Sequence, residues 1–350
     1  MKSYMVSRYA SLDAYTPGEQ PQDMEYVKLN TNESPFPPSP EVKKAISGEE
    51  VEKLKLYSDP EGKELRDAIA KHFGFKRENV LLGNGSDEIL AFAFFAFGAG
   101  AKCVYPDISY GFYPVYAELV GTESTVAPLK EDFSIDINDY INAGKTVIIA
   151  NPNAPTGMAL PVSDIEKIVA SNQNNVVLID EAYVDFGGES AVELVHKYDN
   201  LIVCQTFSKS RSLAGARLGF AIASEGLIAD MNRIKYSLNP YNINRLTLLA
   251  GKASIEDDAY FRKNVQTIIE NREYTVSELR RRGFTVLPSC ANFVFAKKEG
   301  KSGEEMYLEL KKRGVLIRHF GKERIKDYLR ITIGTKAQMD TLLEKLDEII

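Results

Sequence analysis

Short apolar segments alternate with helical patterns along most of the chain between residues 59 and 223. Segments such as Val147–Ala150 and Val176–Ile179 are too short for helices and rich in β-branched residues, so they predict buried strands. Helical spacing of apolar side chains separates these segments, as in Val162–Ser171. Since strands that alternate with helices run side by side in one direction, we expect a mostly parallel sheet sandwiched by helices, an α/β fold.

The segments on either side of this region have different patterns. Prolines are frequent before residue 57, which predicts an irregular arm that packs partly on a smaller domain. After a long helical stretch, Ile255–Arg282, strand-like and helical segments follow in an α+β order. Because 350 residues exceed one small core, we expect an arm over residues 1–56, a large domain over 57–254 and a small domain over 255–350.

Charge and composition argue against several kinds of partner. A net charge of −6 with interspersed signs disfavours nucleic acid or an anionic membrane as the main partner. The longest apolar stretch, Ile89–Ala101, is too short to span a bilayer, and the first residues lack an apolar core of signal-peptide length. The isolated histidines give no support to a metal site, and Cys103, Cys204 and Cys290 are expected to be buried free thiols in a reducing cytoplasm.

A lysine lies in the polar loop that follows the apolar strand Leu201–Cys204. The segment TFSKSRSLAGARLG places Lys209 beside the hydroxyls of Thr206 and Ser208 and eight residues before Arg217. Loops at strand ends are where open α/β sheets bind ligands. An amine can form a Schiff base with an aldehyde, while hydroxyls and a guanidinium can bind a phosphate. A solvated lysine in a polar loop is the alternative interpretation.

A carboxylate ends another buried strand. Asp180 follows the apolar segment Val176–Ile179, and Tyr183 comes three residues later. A buried carboxylate requires a cationic partner, and a protonated pyridine nitrogen would be one. Tyr183 could then donate a hydrogen bond to a phenolate oxygen. Alternatively, Asp180 caps a helix and Tyr183 packs in the core.

Two turns complete the set of candidate residues. The rigid turn NPNAPTG, residues 151–157, presents the side chain of Asn153. The segment GNGSDE, residues 83–88, leads from a strand into a helix, where Gly85 and Ser86 could bind a phosphate through backbone N–H groups. Taken alone, the first segment is explained by a plain turn, and the second by a serine that caps the helix N-terminus.

The order of these segments resembles one family. A small-residue turn, a helix start that carries Tyr110, the NPNAPTG turn, the DEAY strand end and the SK loop with its arginine follow one another as in the class I and II aminotransferases, fold-type-I pyridoxal-phosphate enzymes. Within that group, LDAYTPGE, LNTNESPFPPSP, YSDPEGKELRDAIA and LRITIGT look most like the histidinol-phosphate aminotransferases. The resemblance extends from Leu12 to the C-terminus.

The resemblance implies pyridoxal 5'-phosphate as cofactor and a role for each matching residue. Lys209 would be the Schiff-base lysine that also moves the proton, and Asp180 would keep the ring nitrogen protonated. Tyr183 and Asn153 would contact the phenolic oxygen, although many relatives read NPxNPTG where this chain has Ala154. The remaining contacts implied are Tyr110 on the ring face, Gly85, Ser86, Thr206, Ser208 and Arg217 at the phosphate, and Tyr57 from the second subunit.

The resemblance also implies a substrate and an assembly. Arg330 would bind an anionic group of the substrate, with Arg318 as a second anion contact and Tyr15 and Asn32 nearby in the arm. One arginine-lined pocket can bind a phosphate and a carboxylate in turn. The implied enzyme is a cytoplasmic homodimer with shared sites. It would move an amino group between L-histidinol phosphate and 2-oxoglutarate or glutamate, with imidazole acetol phosphate as keto partner, in L-histidine biosynthesis.

Other activities remain open at this point. A phosphothreonine decarboxylase shares the fold and most motifs, and an aromatic aminotransferase comes next. A cofactor-binding regulator without catalysis usually carries a DNA-binding extension, for which this chain has no spare basic domain. A purely structural protein would have no reason to combine Asp180, Lys209 and Arg217. The residues that line the side-chain pocket decide among the enzymes.

Overall fold

The computed structural model of the chain describes residues 4–10, 12–46 and 48–350, so residues 1–3, 11 and 47 of the predicted arm lie outside the described residues. The strands are β1 (Val27–Lys28), β2 (Val80–Asn84), β3 (Lys102–Pro106), β4 (Glu123–Ala127), β5 (Thr146–Ala150), β6 (Val177–Asp180), β7 (Leu201–Thr206), β8 (Leu218–Ala223), β9 (Phe284–Val286), β10 (Phe293–Lys298), β11 (Val315–Leu316), β12 (Arg318–His319) and β13 (Leu329–Thr332). The helices are α1 (Pro40–Ala45), α2 (Glu49–Glu52), α3 (Lys63–Phe73), α4 (Gly85–Phe97), α5 (Phe112–Val120), α6 (Val162–Ser171), α7 (Glu225–Leu238), α8 (Arg245–Glu256), α9 (Asp258–Arg281), α10 (Gly303–Lys312) and α11 (Lys336–Asp347).

A seven-stranded sheet with the order β2-β8-β7-β6-β5-β3-β4 forms the centre of the molecule. From β4 to β7 neighbouring strands are parallel, and β8 is antiparallel to both of its neighbours. Side chains alternate between the two faces of each strand, so Ile149 packs with α3, α6 and α8 while Ile148 packs with α4, α5 and α7. The predicted sheet between two helical layers is confirmed.

A second core lies around the four-stranded antiparallel sheet β12-β13-β10-β9. Helices α9, α10 and α11 pack on this sheet. The arm contributes Leu29 to the same core, and β1 pairs in parallel with β11. The arm is therefore built into the C-terminal part of the chain. The exact domain boundaries stay a prediction, and α8 crosses the expected one between residues 254 and 255.

Several elements differ from the expectations. The predicted long helix, Ile255–Arg282, is α9, but it begins only at Asp258, because Asp257 ends α8 and accepts a hydrogen bond from the backbone N–H of Tyr260 to cap α9. The arm contains a helix, since Pro40 lies at the first position of α1, where its missing N–H is tolerated. Strand β4 was not predicted, because it lies at the sheet edge, where all of its residues except Ala127 are exposed.

The structure also bears on membrane spans, metal-binding groups and the cysteines. In the part of the chain described, no helix has the length and apolar character needed to cross a membrane, and no group of acidic, histidine or cysteine side chains could hold a metal ion. The three cysteines are free thiols. Cys103 and Cys204 are buried as predicted, but Cys290 is only half-buried because it lies in the loop between β9 and β10.

Candidate active site

A cavity of about 810 Å³ lies where β5, β6 and β7 end, between the central sheet, the arm and the C-terminal sheet. The strand ends Ala150 and Asp180 are direct neighbours in the sheet register, which brings separate loops to one edge. Of the predicted site residues, the cavity is lined by Tyr15, Asn32, Ser86, Tyr110, Asp180, Tyr183, Thr206, Ser208, Lys209, Arg217, Arg318 and Arg330. Residues far apart in the sequence therefore converge as expected.

Lys209 follows β7 and projects into this cavity. Its Nζ donates a hydrogen bond to the backbone oxygen of Thr31 at 3.2 Å. Burial lowers the pKa of Lys209 to about 8, and the positive charge of Arg330 acts in the same direction. A large share of the amine is therefore neutral near pH 8, as a nucleophile or proton acceptor must be.

Asp180 ends β6 and is 4% exposed. Its Oδ2 accepts a hydrogen bond from the hydroxyl of Tyr113 at 2.9 Å, and its Oδ1 accepts one from the backbone N–H of Ala182. Burial raises the pKa of Asp180 to about 6, against the opposing effect of the Tyr113 hydrogen bond. Asp180 does not cap a helix, since the short helix that follows, Val184–Phe186, has Tyr183 at its N-cap. The carboxylate lines a cavity that has room for a cationic ligand.

Tyr183 and Asn32 form a pair on the wall of the cavity. The side-chain Nδ2 of Asn32 donates to the hydroxyl of Tyr183 at 3.0 Å. The ring of Tyr183 packs edge-on against Phe293, with 5.1 Å between ring centroids. Asn32 was predicted as a substrate contact, and the contact that its amide nitrogen makes here is with Tyr183.

The N-terminus of α4 forms a cradle with the loop that follows β7. Gly85 has a φ of +76°, and a Cβ at this position would lie 2.5 Å from Nη2 of Arg217. The backbone N–H of Gly85 donates to the carbonyl of Arg217, whose guanidinium donates to Asp87 at 2.8 Å. Backbone N–H groups at a helix start and a guanidinium beside them suit a phosphate. Gly85 therefore shapes the cradle without lining the cavity itself.

Hydroxyl groups line the rest of the cradle. The hydroxyl of Thr206 lies 3.0 Å from the hydroxyl of Ser208 and accepts the backbone N–H of that residue, and both residues are buried. Tyr110 faces the cavity from the other side, and its hydroxyl donates to Asp87 at 2.6 Å. Asp87 therefore links Tyr110, the predicted ring-stacking residue, to Arg217 in the predicted phosphate site.

The contact of Asn153 with the cofactor stays a prediction, and in the structure its amide is hydrogen-bonded within and beside the turn. Its Nδ2 donates to the carbonyl of Ile108 and to Thr156, and its Oδ1 accepts from Ser109. These bonds satisfy the buried amide inside the turn, and Ala154 lines the cavity instead. The amide of Asn153 therefore holds the turn in place.

Tyr57 does not line the cavity of its own chain. Its side chain is 79% exposed and stacks on Tyr241 with 4.5 Å between ring centroids. The predicted contact from a second subunit is compatible with this position.

Two arginines face the cavity from adjacent strands. Arg318 and Arg330 are directly opposite one another in the pairing of β12 and β13. Arg330 donates to the carbonyl of Asn30 at 2.8 Å, and Arg318 donates to the carbonyls of Thr16 and Pro17 in the arm. Over residues 4–10, 12–46 and 48–350, neither guanidinium forms a salt bridge with a carboxylate, and the buried Nε of Arg330 has no hydrogen-bond partner. Because like charges directly opposite destabilise a sheet, this pair favours an anionic ligand.

Tyr113 is a site residue that the sequence analysis did not identify. It is completely buried in α5 and contacts the carboxylate of Asp180. A tyrosine within an otherwise apolar stretch could have signalled a buried hydroxyl with a polar partner. The partner itself could not be identified, because 67 residues separate the two side chains in the chain.

The fold and the site together define a class of protein. An amine, a buried carboxylate and a phosphate-type cradle meet at one sheet edge, and residues 24–346 match the family described as aminotransferase class I and II. The chain belongs to the class I and II aminotransferases. The resemblance found in the sequence is confirmed for this family.

Several individual relatives of the chain are histidinol-phosphate aminotransferases. The chain is 51% identical to the histidinol-phosphate aminotransferase of Brachyspira hyodysenteriae, covering 100% of this chain and 99% of the relative. It is 49% identical to the enzyme of the same name from Marinomonas sp., covering 99% of each. The crystal structure of histidinol-phosphate aminotransferase from Sinorhizobium meliloti in complex with pyridoxal-5'-phosphate is similar with a TM-score of 0.85, at 26% identity, over 93% of this chain and 91% of that one.

Proposed function

We propose that this aminotransferase uses pyridoxal 5'-phosphate to move an amino group between L-histidinol phosphate and 2-oxoglutarate, with imidazole acetol phosphate as keto partner, in L-histidine biosynthesis. The names of the full-length relatives support this substrate. The observation that carries the proposal is the opposed pair Arg318 and Arg330, which faces the cavity that also holds Lys209 and Asp180.

The residues present fit this cofactor. The cradle at the start of α4 offers N–H groups, hydroxyls and the guanidinium of Arg217 to a phosphate, and it leaves no room for a Cβ at Gly85. Asp180 offers a buried negative charge to a protonated ring nitrogen. When bound, the cofactor supplies an electron-withdrawing ring that stabilises negative charge on the substrate carbon next to the amino group.

The protein's own residues then hold and move protons. Lys209 reaches the cavity with a pKa lowered to about 8, so its Nζ can take a proton from the substrate carbon and return it. Asp180 keeps its charge toward the ring nitrogen while Tyr113 and Ala182 fix its orientation. Tyr183 presents a hydroxyl to the cavity beside Lys209, whose Nζ lies 5.8 Å from the centre of the tyrosine ring.

The arginine pair explains how one pocket serves two substrates. Histidinol phosphate carries a phosphate and no carboxylate, whereas glutamate carries two carboxylates. A guanidinium fork binds either group in the same geometry. Arg330 lines the cavity, and Arg318 lies directly opposite on the neighbouring strand.

The test follows the visible absorption of the bound cofactor after a single addition of amino donor. L-Histidinol phosphate should change the band rapidly, and 2-oxoglutarate should restore it. L-Phenylalanine should react more slowly. Lys209→Ala should show neither the pH-sensitive band nor turnover, and Arg330→Leu should weaken both half-reactions because both anions use this side chain. Rapid release of carbon dioxide from phosphothreonine would replace the proposal with the decarboxylase.

The assembly that we propose is a homodimer in the cytoplasm, a compartment in which the three thiols stay reduced. Tyr57 of each chain would contact the cofactor phosphate held by the other. Exposed apolar side chains precede Tyr57 in the chain and accompany its stacking partner Tyr241, which supports the proposal because exposed apolar surface is typical of protein interfaces. These side chains are Val51, Leu54, Leu56, Tyr57, Tyr236, Leu238 and Tyr241.

A further inference from the structure

The arm segment 30–32 contacts successive groups of the catalytic cavity. The backbone oxygen of Asn30 accepts a hydrogen bond from Arg330, and the backbone oxygen of Thr31 accepts one from Nζ of Lys209. The side chain of Asn32 donates to the hydroxyl of Tyr183. Of these contacts, the last joins two side chains and can be removed without changing the path of the backbone.

Asn32 is held in one conformation by the C-terminal sheet. It is 1% exposed and has a φ of +56°, a conformation that few residues other than glycine adopt. The hydroxyl of Thr332 accepts the backbone N–H of Asn32 and donates to its Oδ1, and Asn292 donates to its backbone oxygen. Because Oδ1 is taken by Thr332, the amide nitrogen is the atom that faces Tyr183.

The hydrogen bond from Asn32 determines whether the hydroxyl of Tyr183 can act as a donor toward the cavity. Its oxygen accepts a hydrogen bond from the amide N–H of Asn32, so the hydroxyl's own proton is left to be donated elsewhere, toward the cavity. Pro152, Ala154 and Pro155 of the neighbouring turn line the same cavity. The donor strength of Tyr183 therefore depends on Asn32.

We propose that Asn32 is a positioning residue that directs the proton of Tyr183 onto the phenolic oxygen of the bound cofactor. The proposal rests on the proposed pyridoxal-phosphate chemistry. A donor at that oxygen stabilises its anionic form, so loss of the donor favours the protonated form of the bound cofactor. The pH midpoint of the visible absorption should therefore rise when Asn32 can no longer act.

The experiment compares this midpoint in the purified holoenzyme of four variants. Asn32→Gly keeps the positive φ without strain and removes the amide, and it should raise the midpoint by about 0.5 pH unit, a threefold change in proton affinity. Asn32→Asp should raise it further, because its carboxylate would draw the Tyr183 proton away from the cavity. Tyr183→Phe should raise the midpoint at least as much as Asn32→Gly. In the double variant, Asn32→Gly should then add nothing further.

Thr332→Val tests the orientation of the amide. It removes the hydroxyl that fixes Oδ1 of Asn32 but keeps the amide itself, so it should lower the unfolding temperature and raise the midpoint less than Asn32→Gly. If Asn32→Gly and Asn32→Asp leave the midpoint unchanged while Tyr183→Phe moves it, the role of Asn32 is refuted. An additive effect of Asn32→Gly in the Tyr183→Phe background would also refute it. A wild-type protein without any pH-dependent band would instead refute the proposed function.

Discussion

At the scale of single residues, the site holds two ionisable groups in surroundings that disfavour their charges. Burial raises the pKa of Asp180 to about 6 and lowers that of Lys209 to about 8. Hydrogen bonds from Tyr113 and Ala182 orient the carboxylate but do not neutralise it. Such groups reduce the stability of the folded chain until a ligand of opposite charge binds, which is typical of functional sites.

We therefore predict opposite effects of Asp180→Asn on stability and activity. The folded pKa of Asp180 is raised above its ordinary 3.8 to about 6, so the carboxylate lowers stability increasingly as the pH rises through this range. Cofactor-free Asp180→Asn should be more stable than wild type near pH 8 by up to about 3 kcal/mol, since one pKa unit corresponds to about 1.4 kcal/mol. Near pH 3 the difference should vanish, because both states of the wild type are then protonated.

Urea unfolding of the cofactor-free proteins at both pH values measures this difference. Turnover of the Asp180→Asn holoenzyme should fall by orders of magnitude, as when an important electrostatic partner is deleted. A loss of activity below about tenfold, or roughly 1.4 kcal/mol, would contradict the role assigned to Asp180. A wild type more stable than the variant near pH 8 would contradict the electrostatic explanation.

At the scale of elements, the cradle depends on the close approach of α4 to β8. A Cβ at Gly219 in β8 would lie 2.4 Å from the backbone nitrogen of Ser86 and 2.6 Å from the carbonyl carbon of Gly85. Backbone atoms cannot turn away as a flexible side chain can. Glycine at position 219 thus lets the start of the helix, with its free N–H groups, lie against the strand.

Gly219→Ala should accordingly displace the start of α4. We expect a loss of about 1–3 kcal/mol in stability, the usual range for overpacking, together with weaker cofactor binding. Gly226→Ala in α7 is the control, since a Cβ there meets no atom within 4 Å. In a helix it should leave stability unchanged or raise it by up to about 1 kcal/mol. Thermal unfolding and cofactor titration distinguish the two, and equal behaviour of both variants would contradict the close-approach argument.

At the scale of the whole molecule, the exposed apolar side chains near Tyr57 support the proposal of an active site shared between two subunits. The side chain of Tyr57 lies outside its own cavity, although Ser58 beside it is anchored to the carbonyl of Ile243. A two-fold interface would present the same side chains from each chain to the other. Each cavity would then be complete in the dimer alone.

The dimer proposal predicts complementation between two inactive variants. Lys209→Ala and Tyr57→Ala subunits are unfolded and refolded together and assayed at limiting cofactor. Random pairing makes about half of the dimers mixed, and each of these has one intact site, so about a quarter of all sites should regain activity. Tyr57→Ala alone should weaken cofactor binding by about 1–3 kcal/mol, the range for a hydrogen bond to a charged group. Activity no higher than that of the separate parents would contradict the shared site.

The buried strands could be predicted from the sequence, whereas the exposed edge strand could not. Buried parallel strands are continuously apolar, so β5, β6 and β7 could be predicted, and with them the strand-end positions of Asp180 and Lys209. The exposed edge strand β4 has no such pattern and was not found. The spacing of apolar residues reflects which side chains are buried. It therefore reveals an element only where that element packs against other parts of the protein.

The direction of each polar side chain depends on the folded chain. Asn153 belongs to a recognisable turn, yet its amide is oriented by Ser109 and Ile108, which come from another loop. Asn32 faces Tyr183 because a hydroxyl 300 residues later occupies its oxygen. Residue types and their local spacing thus specify the strands, the loops and the chemistry available. Contacts between distant segments select which of those groups reach the ligand, because a side chain is oriented by its nearest partners in space.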